Sequence, residues 1–177
     1  MPRSYSLWHA AALALGASAV GALVSTNIQG TRDYYDSLKT PRVAPPAWAF
    51  GPAWTLNNAA SSYAALRIIN LPEGTPHRAA ILALEGYNWA MFPLHAPLFF
   101  GLRSPMLGAL HTGSCLGTTA LSAALAARTD PKAALALMPR LAWLGLATYL
   151  SVFVAQHNED AWWDEHVRAL SSELLEA

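Results

Sequence analysis

The sequence predicts an all-α membrane protein, a bundle of five transmembrane helices, and three observations carry that prediction. Acidic and basic residues are absent between Arg3 and Arg32, Arg42 and Arg67, Glu85 and Arg103, Arg103 and Arg128, and Arg140 and Glu159. Each gap approaches or exceeds the roughly 17–25 residues that cross a bilayer as a helix. A helix with one solvated face would carry charge every turn or two instead. The composition agrees: 54% of the 177 residues are apolar and 12% are charged, about half the usual charged share. The apolar runs are also continuous and rich in Ala and Leu, as in 121–127. These are good helix formers, without the period-two alternation of a membrane β-barrel.

The helices fall at about 7–28, 46–69, 79–101, 104–127 and 133–156, and together they make one membrane domain over 1–156. The first follows a single Arg3 and contains Ala17-Ser18-Ala19, the pattern of a cleaved secretory signal. The spans that follow make it a membrane helix. The connection from Gln29 to Pro45 is the longest, and Pro46 suits the first turn of helix 2, where its missing N–H costs nothing. Pro72, Gly74 and Pro76 mark a turn before helix 3. Only Gly101 to Pro105 separates helices 3 and 4, which makes them antiparallel neighbours. Asp130 ahead of Pro131 can cap helix 5. Residues 157–177 form an acidic tail, in which Trp162 and Trp163 suit a membrane interface. His157, Glu159, Asp160, Asp164 and His166 read as its solvated polar face.

Net charge is zero, so nothing points to nucleic acid as a partner. The partner is the bilayer. Basic residues divide almost evenly between its two sides, so charge gives no orientation. No catalytic constellation, phosphate loop or metal-ligand spacing occurs, and the lone Cys115 reads as a small buried residue. The chain therefore reads as neither an enzyme nor a holder of an obligatory cofactor.

The stretch from Tyr34 through Leu38, Pro41, Pro45-Pro46-Ala47-Trp48-Ala49-Phe50 and Trp54-Thr55 resembles the TspO/translocator family. That family carries an aromatic-Tyr-x-x-Leu, a Pro, then Pro-Pro-x-Trp-x-Phe and a Trp-Thr. Pro97-Leu98-Phe99-Phe100-Gly101 is similar to the end of its third helix. Pro139-Arg140-Leu141-Ala142-Trp143 with Ala147-Thr148-Tyr149-Leu150 is similar to its fifth. The likeness runs from about residue 21 to 156. It implies a five-helix fold, often dimeric, with a pocket opening toward the loop between helices 1 and 2. Family members bind porphyrins and other flat apolar ligands, and some bind cholesterol or benzodiazepine-type drugs. Transport, sensing and porphyrin breakdown have each been proposed for them. The implied location is the mitochondrial outer membrane in a eukaryote, or an envelope membrane in a bacterium.

On that basis the expected ligand contacts are Trp48, Trp54, Asn58, Phe92, His95, Trp143, Ala147 and Ser151. Trp48 lies near the mouth and Trp54 about 9 Å deeper at 1.5 Å per residue. Flat rings with one N–H suit a conjugated ligand, although Trp near a helix end equally suits an interface belt. His95, an ionisable group at membrane depth, either hydrogen-bonds a neighbouring helix or ligates haem iron, the first being the simpler reading. Asn57, Asn58 and Ser151 either line the pocket or join helices. The family usually has Tyr where this chain has Asn58 and Arg140, Asn at Phe92 and Trp at His95, so the pocket lining departs from the pattern. Glu85 and Arg140 sit at matching depth on helices 3 and 5, where they can pair or snorkel to the interface. Ala109, Gly113 and Gly117 form a small-residue stripe, either a seam within the bundle or a dimer face. No Lys or Arg follows Tyr149 within five residues, which weakens a sterol-binding reading.

The leading functional expectation is a membrane binding protein for a porphyrin-like or other flat apolar ligand, acting in its sensing, regulation or transport. The alternatives are a porphyrin-modifying enzyme, a sterol or lipid translocator, and a structural membrane subunit.

Overall fold

A computed structural model describes residues 4–167, and among the described residues the regular structure is all helix, without strands. The long helices are α1 (Leu7–Thr26), α3 (Phe50–Ile69), α4 (Arg78–Met91), α5 (Pro105–Thr129) and α6 (Pro131–His157), with a short α2 (Thr31–Ser37) after α1. A final helical stretch occupies 161–167. α1 and α6 are long and apolar enough to cross a membrane. α4 is too short, with 14 residues. In α3 the buried Asn57, Asn58, Ser61 and Ser62 lower the hydropathy.

Two of the expected helices are interrupted, and proline is the reason in both. The third was expected as one element over 79–101. Instead α4 ends at Met91, and a 3-10 turn (Phe92–Leu94) and a π-turn (Pro97–Gly101) complete the span. Pro93 and Pro97 each lack an N–H and crowd the carbonyl four residues back, so a regular α ladder cannot pass them. The π-turn closes through Leu102 N–H donating to the Pro97 carbonyl at 2.9 Å. At helix 2, Pro45-Pro46 sets a 3-10 turn over Ala47–Ala49 before α3 starts at Phe50. Trp48 falls within that turn and is 75% exposed, and it is not among the residues that border the cavity lined by Trp54. The expectation that Trp48 lines the pocket is therefore corrected.

The remaining boundaries follow the local chemistry. Gly74 takes φ +86° in the turn closed by Thr75 N–H on the Pro72 carbonyl at 3.1 Å, a conformation that favours glycine. Ser104 caps α5 by accepting from Leu107 N at 3.2 Å, with Pro105 in the first turn.

Asp130 caps α6, accepting from Lys132 N at 3.0 Å and Ala133 N at 3.3 Å, while its other oxygen accepts from Arg67 Nε at 2.8 Å. Burial alone would raise this carboxyl, but the bonds from Arg67 and the two amides together hold it below the usual carboxylate range. A lowered folded value means stability that is fully present above the unfolded pKa and lost as pH falls through the folded one. The expected result is a stability loss of about 1–2 kcal/mol on acidification below about pH 4. Asp130→Asn should lack that component in thermal melts of detergent-solubilised protein, and an unchanged acid limb in the variant would refute the assignment.

The bundle is closed at one end and open at the other. Ala64, Ile68, Ile81, Ala123, Ala126, Ala133, Ala134 and Leu137 form the apolar core where α3, α4, α5 and α6 converge. Its small side chains let the backbones approach closely. One turn away, toward the opposite side, stands a buried polar layer. Arg140 Nη2 donates to Glu85 Oε1 at 2.6 Å, and Ser122 Oγ donates to the same oxygen at 2.7 Å. Glu85 and Arg140 are 2% and 6% exposed, so they pair inside the bundle and do not snorkel. In the small-residue stripe, Ala109 is buried and a Cβ on Gly113 would meet Thr148 Cγ2 of α6 at 4.0 Å, while Gly117 faces open space. The seam within the bundle thus accounts for Gly113.

Candidate functional site

Beyond the polar layer the helices part around a cavity of about 990 Å³. Its roof is α2 and the chain that follows, through Thr31, Arg32, Tyr35, Asp36, Thr40, Pro41 and Ala44. The roof is tied down at two points. Asn158, at the end of α6, donates through Nδ2 to the Lys39 carbonyl at 3.1 Å and accepts the Lys39 N–H at 2.8 Å. Tyr34 packs on Phe99 and Phe100, with ring centroids at 5.9 and 6.4 Å, and the Arg103 guanidinium lies 5.8 Å from the Tyr34 ring. Burial first, and the Asp160 carboxylate second, push the Tyr34 phenol up to about 12, against the opposing Arg103 charge.

One wall is a run of edge-to-face aromatic rings descending from the roof. Tyr35 meets Phe50 at 6.5 Å, Phe50 meets Trp143 at 5.4 Å, Trp143 meets Trp54 at 6.4 Å, and Trp54 meets Phe92 at 5.2 Å. Such pairs contribute roughly 0.5–1.5 kcal/mol each beyond burial, so the wall is pre-formed. Phe92 reaches across to α1, where a Cβ on Gly21 would lie only 2.8 Å from Phe92 Cε1. Glycine at that position lets the ring lie against the α1 backbone.

The π-turn builds the other wall. His95 stacks on Phe99 at 5.7 Å with the planes 9° apart, and lies 5.3 Å from the His111 ring. Phe99 in turn packs on Gly108 of α5, where a Cβ would come within 2.5 Å of its ring. His111 Nε2 is 3.0 Å from the Met91 carbonyl. A carbonyl only accepts, so Nε2 carries the proton and Nδ1 keeps its lone pair. Nδ1 of His111 and Nδ1 of His95 are both buried without a partner. Two ring nitrogens without a hydrogen-bond partner among the described residues thus belong to adjacent imidazoles that border the cavity. No group of three or more His, Cys, Asp or Glu able to hold a metal ion occurs among the described residues.

The floor is polar. Asn58 Nδ2 donates to Ser18 Oγ of α1 at 3.0 Å, and Asn88 Oδ1 accepts from Thr118 and Thr119 at 3.2 and 3.3 Å. Arg140 lines the floor with one edge held by Glu85 and with Nε unpartnered.

Seven of the eight expected contact residues border this cavity: Trp54, Asn58, Phe92, His95, Trp143, Ala147 and Ser151. Trp48 does not. The expected contacts did not include Asn88, Trp89, His111 or Cys115, and Arg140 entered only as a departure from the family's lining and as a group that pairs with Glu85 or snorkels. Asn88 had a legible signal, since it stands three residues after Glu85 and so shares its helical face. Trp89 had one too, three residues before Phe92. His111 and Cys115 depend on how α5 is rotated, which their own sequence leaves open.

The chain matches the model of the TspO/MBR family over residues 9–156. It is 32% identical over 142 residues to the translocator protein homolog of Schizosaccharomyces pombe, covering 76% of this chain and 82% of that protein. To the translocator protein of Bos taurus it is 32% identical over 147 residues, covering 81% of each. To the tryptophan-rich protein TspO of Chlorobaculum tepidum it is 27% identical over 135 residues, with 71% and 79% covered.

Proposed function

The chain belongs to the TspO/MBR family, a family of membrane proteins, and on that premise we propose that it binds a flat, largely apolar ligand of the porphyrin type in the roofed cavity, to sense, regulate or move it. In this reading α1, α3, α4 with its continuation to Gly101, α5 and α6 each cross the bilayer. The observation that carries the ligand is the aromatic wall. Trp54 and Trp143 stand edge to face in a space of about 990 Å³, at the upper end of the range that holds drug-sized ligands. Flat conjugated ligands gain most from such rings, and a pre-formed site avoids the cost of ordering them.

The test is a titration of purified protein with protoporphyrin and with haem, followed by tryptophan quenching and Soret absorbance. Saturable binding is expected, weakened about 2- to 10-fold by Trp54→Phe or Trp143→Phe. Failure of either porphyrin to saturate would sink the reading. A second reading, a porphyrin-modifying enzyme, draws on the same two indoles and requires a light- or oxidant-dependent product from the bound porphyrin. Ligation of haem iron by His95, favoured by its unpartnered nitrogen, requires a Soret shift that disappears in His95→Ala while protoporphyrin binding persists.

A further inference from the structure

Among the described residues that border the cavity, the arginines are Arg32 and Arg140, and they differ sharply. Arg32 belongs to the roof, with its side chain 93% exposed beside Asp36. Arg140 belongs to the floor and is 6% exposed. Glu85 occupies one N–H of its guanidinium at 2.6 Å and shares that same oxygen with Ser122. Arg140 Nε, which also carries an N–H, has no hydrogen-bond partner among the described residues. A buried donor left unsatisfied costs free energy, and a guanidinium engaged through a single N–H has used little of its bonding capacity. The neutral floor groups are already committed in part, Asn58 to Ser18 and Asn88 to Thr118 and Thr119. Glu85 Oε2 is also buried without a partner among the described residues, but Glu85 does not border the cavity, so the charged group that offers an unused N–H at the floor is Arg140.

Resting on the reading of the cavity as a site for flat apolar ligands, we propose that Arg140 sets its specificity by selecting ligands that carry an ionised carboxylate on one edge. Such a ligand lies with its rings against Trp54 and Trp143 and its acidic edge toward the floor. The carboxylate accepts from Arg140 in a charge-assisted bond, about twice as strong as one between neutral groups and strengthened further by the low local dielectric. Glu85 competes for the same guanidinium, so it moderates the preference. The aromatic wall supplies affinity for any flat ring system, and Arg140 distinguishes acids from neutral ligands.

Protoporphyrin and its dimethyl ester separate these contributions, because they share the ring and differ in the acid groups. The wild-type protein is expected to bind the acid at least about tenfold more tightly than the ester. Glu85→Gln should widen that preference and Arg140→Lys should keep part of it. The double variant Glu85→Gln/Arg140→Gln, which leaves no buried charge unpaired, should weaken the acid more than the ester and so lose the preference to within about twofold. Arg32→Gln should leave the preference unchanged. Equal binding of acid and ester by the wild type, a preference that survives the double variant, or one that follows Arg32 would each overturn the role of Arg140 while leaving the cavity reading intact. Absence of saturable binding by both compounds would remove that reading and this proposal together.

Discussion

Removing Glu85 alone is expected to destabilise the protein by about 3–5 kcal/mol, the largest effect of any single polar substitution here. The reason is the charge left behind. Arg140 is 6% exposed, and among the described residues Glu85 is its ion-pair partner. In Glu85→Ala the guanidinium stays in the interior with no counter-charge, and Ser122 loses its acceptor as well. Arg140→Ala has the mirror consequence, a carboxylate held by one hydroxyl. The pair itself is a different matter, because desolvating two ions offsets most of their attraction. Glu85→Leu with Arg140→Met should therefore come within about 1–2 kcal/mol of wild type, on either side. The measurement is a double-mutant cycle of unfolding free energies in one detergent, with Glu85→Leu and Arg140→Met as the matched single variants. Additive single effects would refute the pairing. A double variant as unstable as the worse single would show that the polar layer is needed for helix association. Ser122→Ala should cost only about 1 kcal/mol, since Glu85 keeps its arginine.

That pair marks the boundary of what was legible in the chain. Charge-free gaps located the long helices α1, α3, α5 and α6, because a helix with no charge over five turns has no obvious solvated face. They could not show how α4 ends, since Pro93 and Pro97 interrupt a ladder without adding any charge. The site was legible where depth decides it. Trp54, Trp143 and Asn58 sit on uninterrupted α-helix, and counting residues from the helix start places them in the layer of the cavity. Trp48 was not legible in that way, because a 3-10 turn rotates side chains by a different angle per residue. Glu85 and Arg140 could be matched in depth from residue counts alone. Whether they met depended on the rotation of α4 and α6 about their axes, and that is set by the small residues packed one turn below them.

Asp160 is the residue whose solvated reading the structure reverses most completely, and its loss carries the second large expected effect. It belongs to what reads as an acidic tail, yet it is 8% exposed. Oδ2 accepts from Met106 N and from Ser104 Oγ, both at 2.8 Å, and Oδ1 accepts from Trp163 N at 2.9 Å. One carboxylate thus satisfies the starts of two helices, α5 and the stretch at 161–167. Ser104 in turn caps Leu107 N, so the α5 terminus depends on the two residues jointly. A single cap contributes about 1–2 kcal/mol, so Asp160→Ala should cost about 2–4 kcal/mol. Asp160→Asn should fall between, because whichever way the amide turns, its NH2 meets an N–H or hydroxyl donor that the carboxylate accepted. A purely surface role predicts a cost within about 0.5 kcal/mol for both variants, and that result would refute the double cap. The substitution has a second readout that global destabilisation does not mimic. Asp160 raises the Tyr34 phenol while burial, the larger cause, remains in the variant. In a spectrophotometric titration of Asp160→Asn, Tyr34 should therefore ionise below about 12 but still above the ordinary tyrosine range near about 10. Hydrogen exchange at the amides of Met106 and Leu107 should accelerate in the same variant, since those N–H groups are the ones Asp160 holds directly or through Ser104.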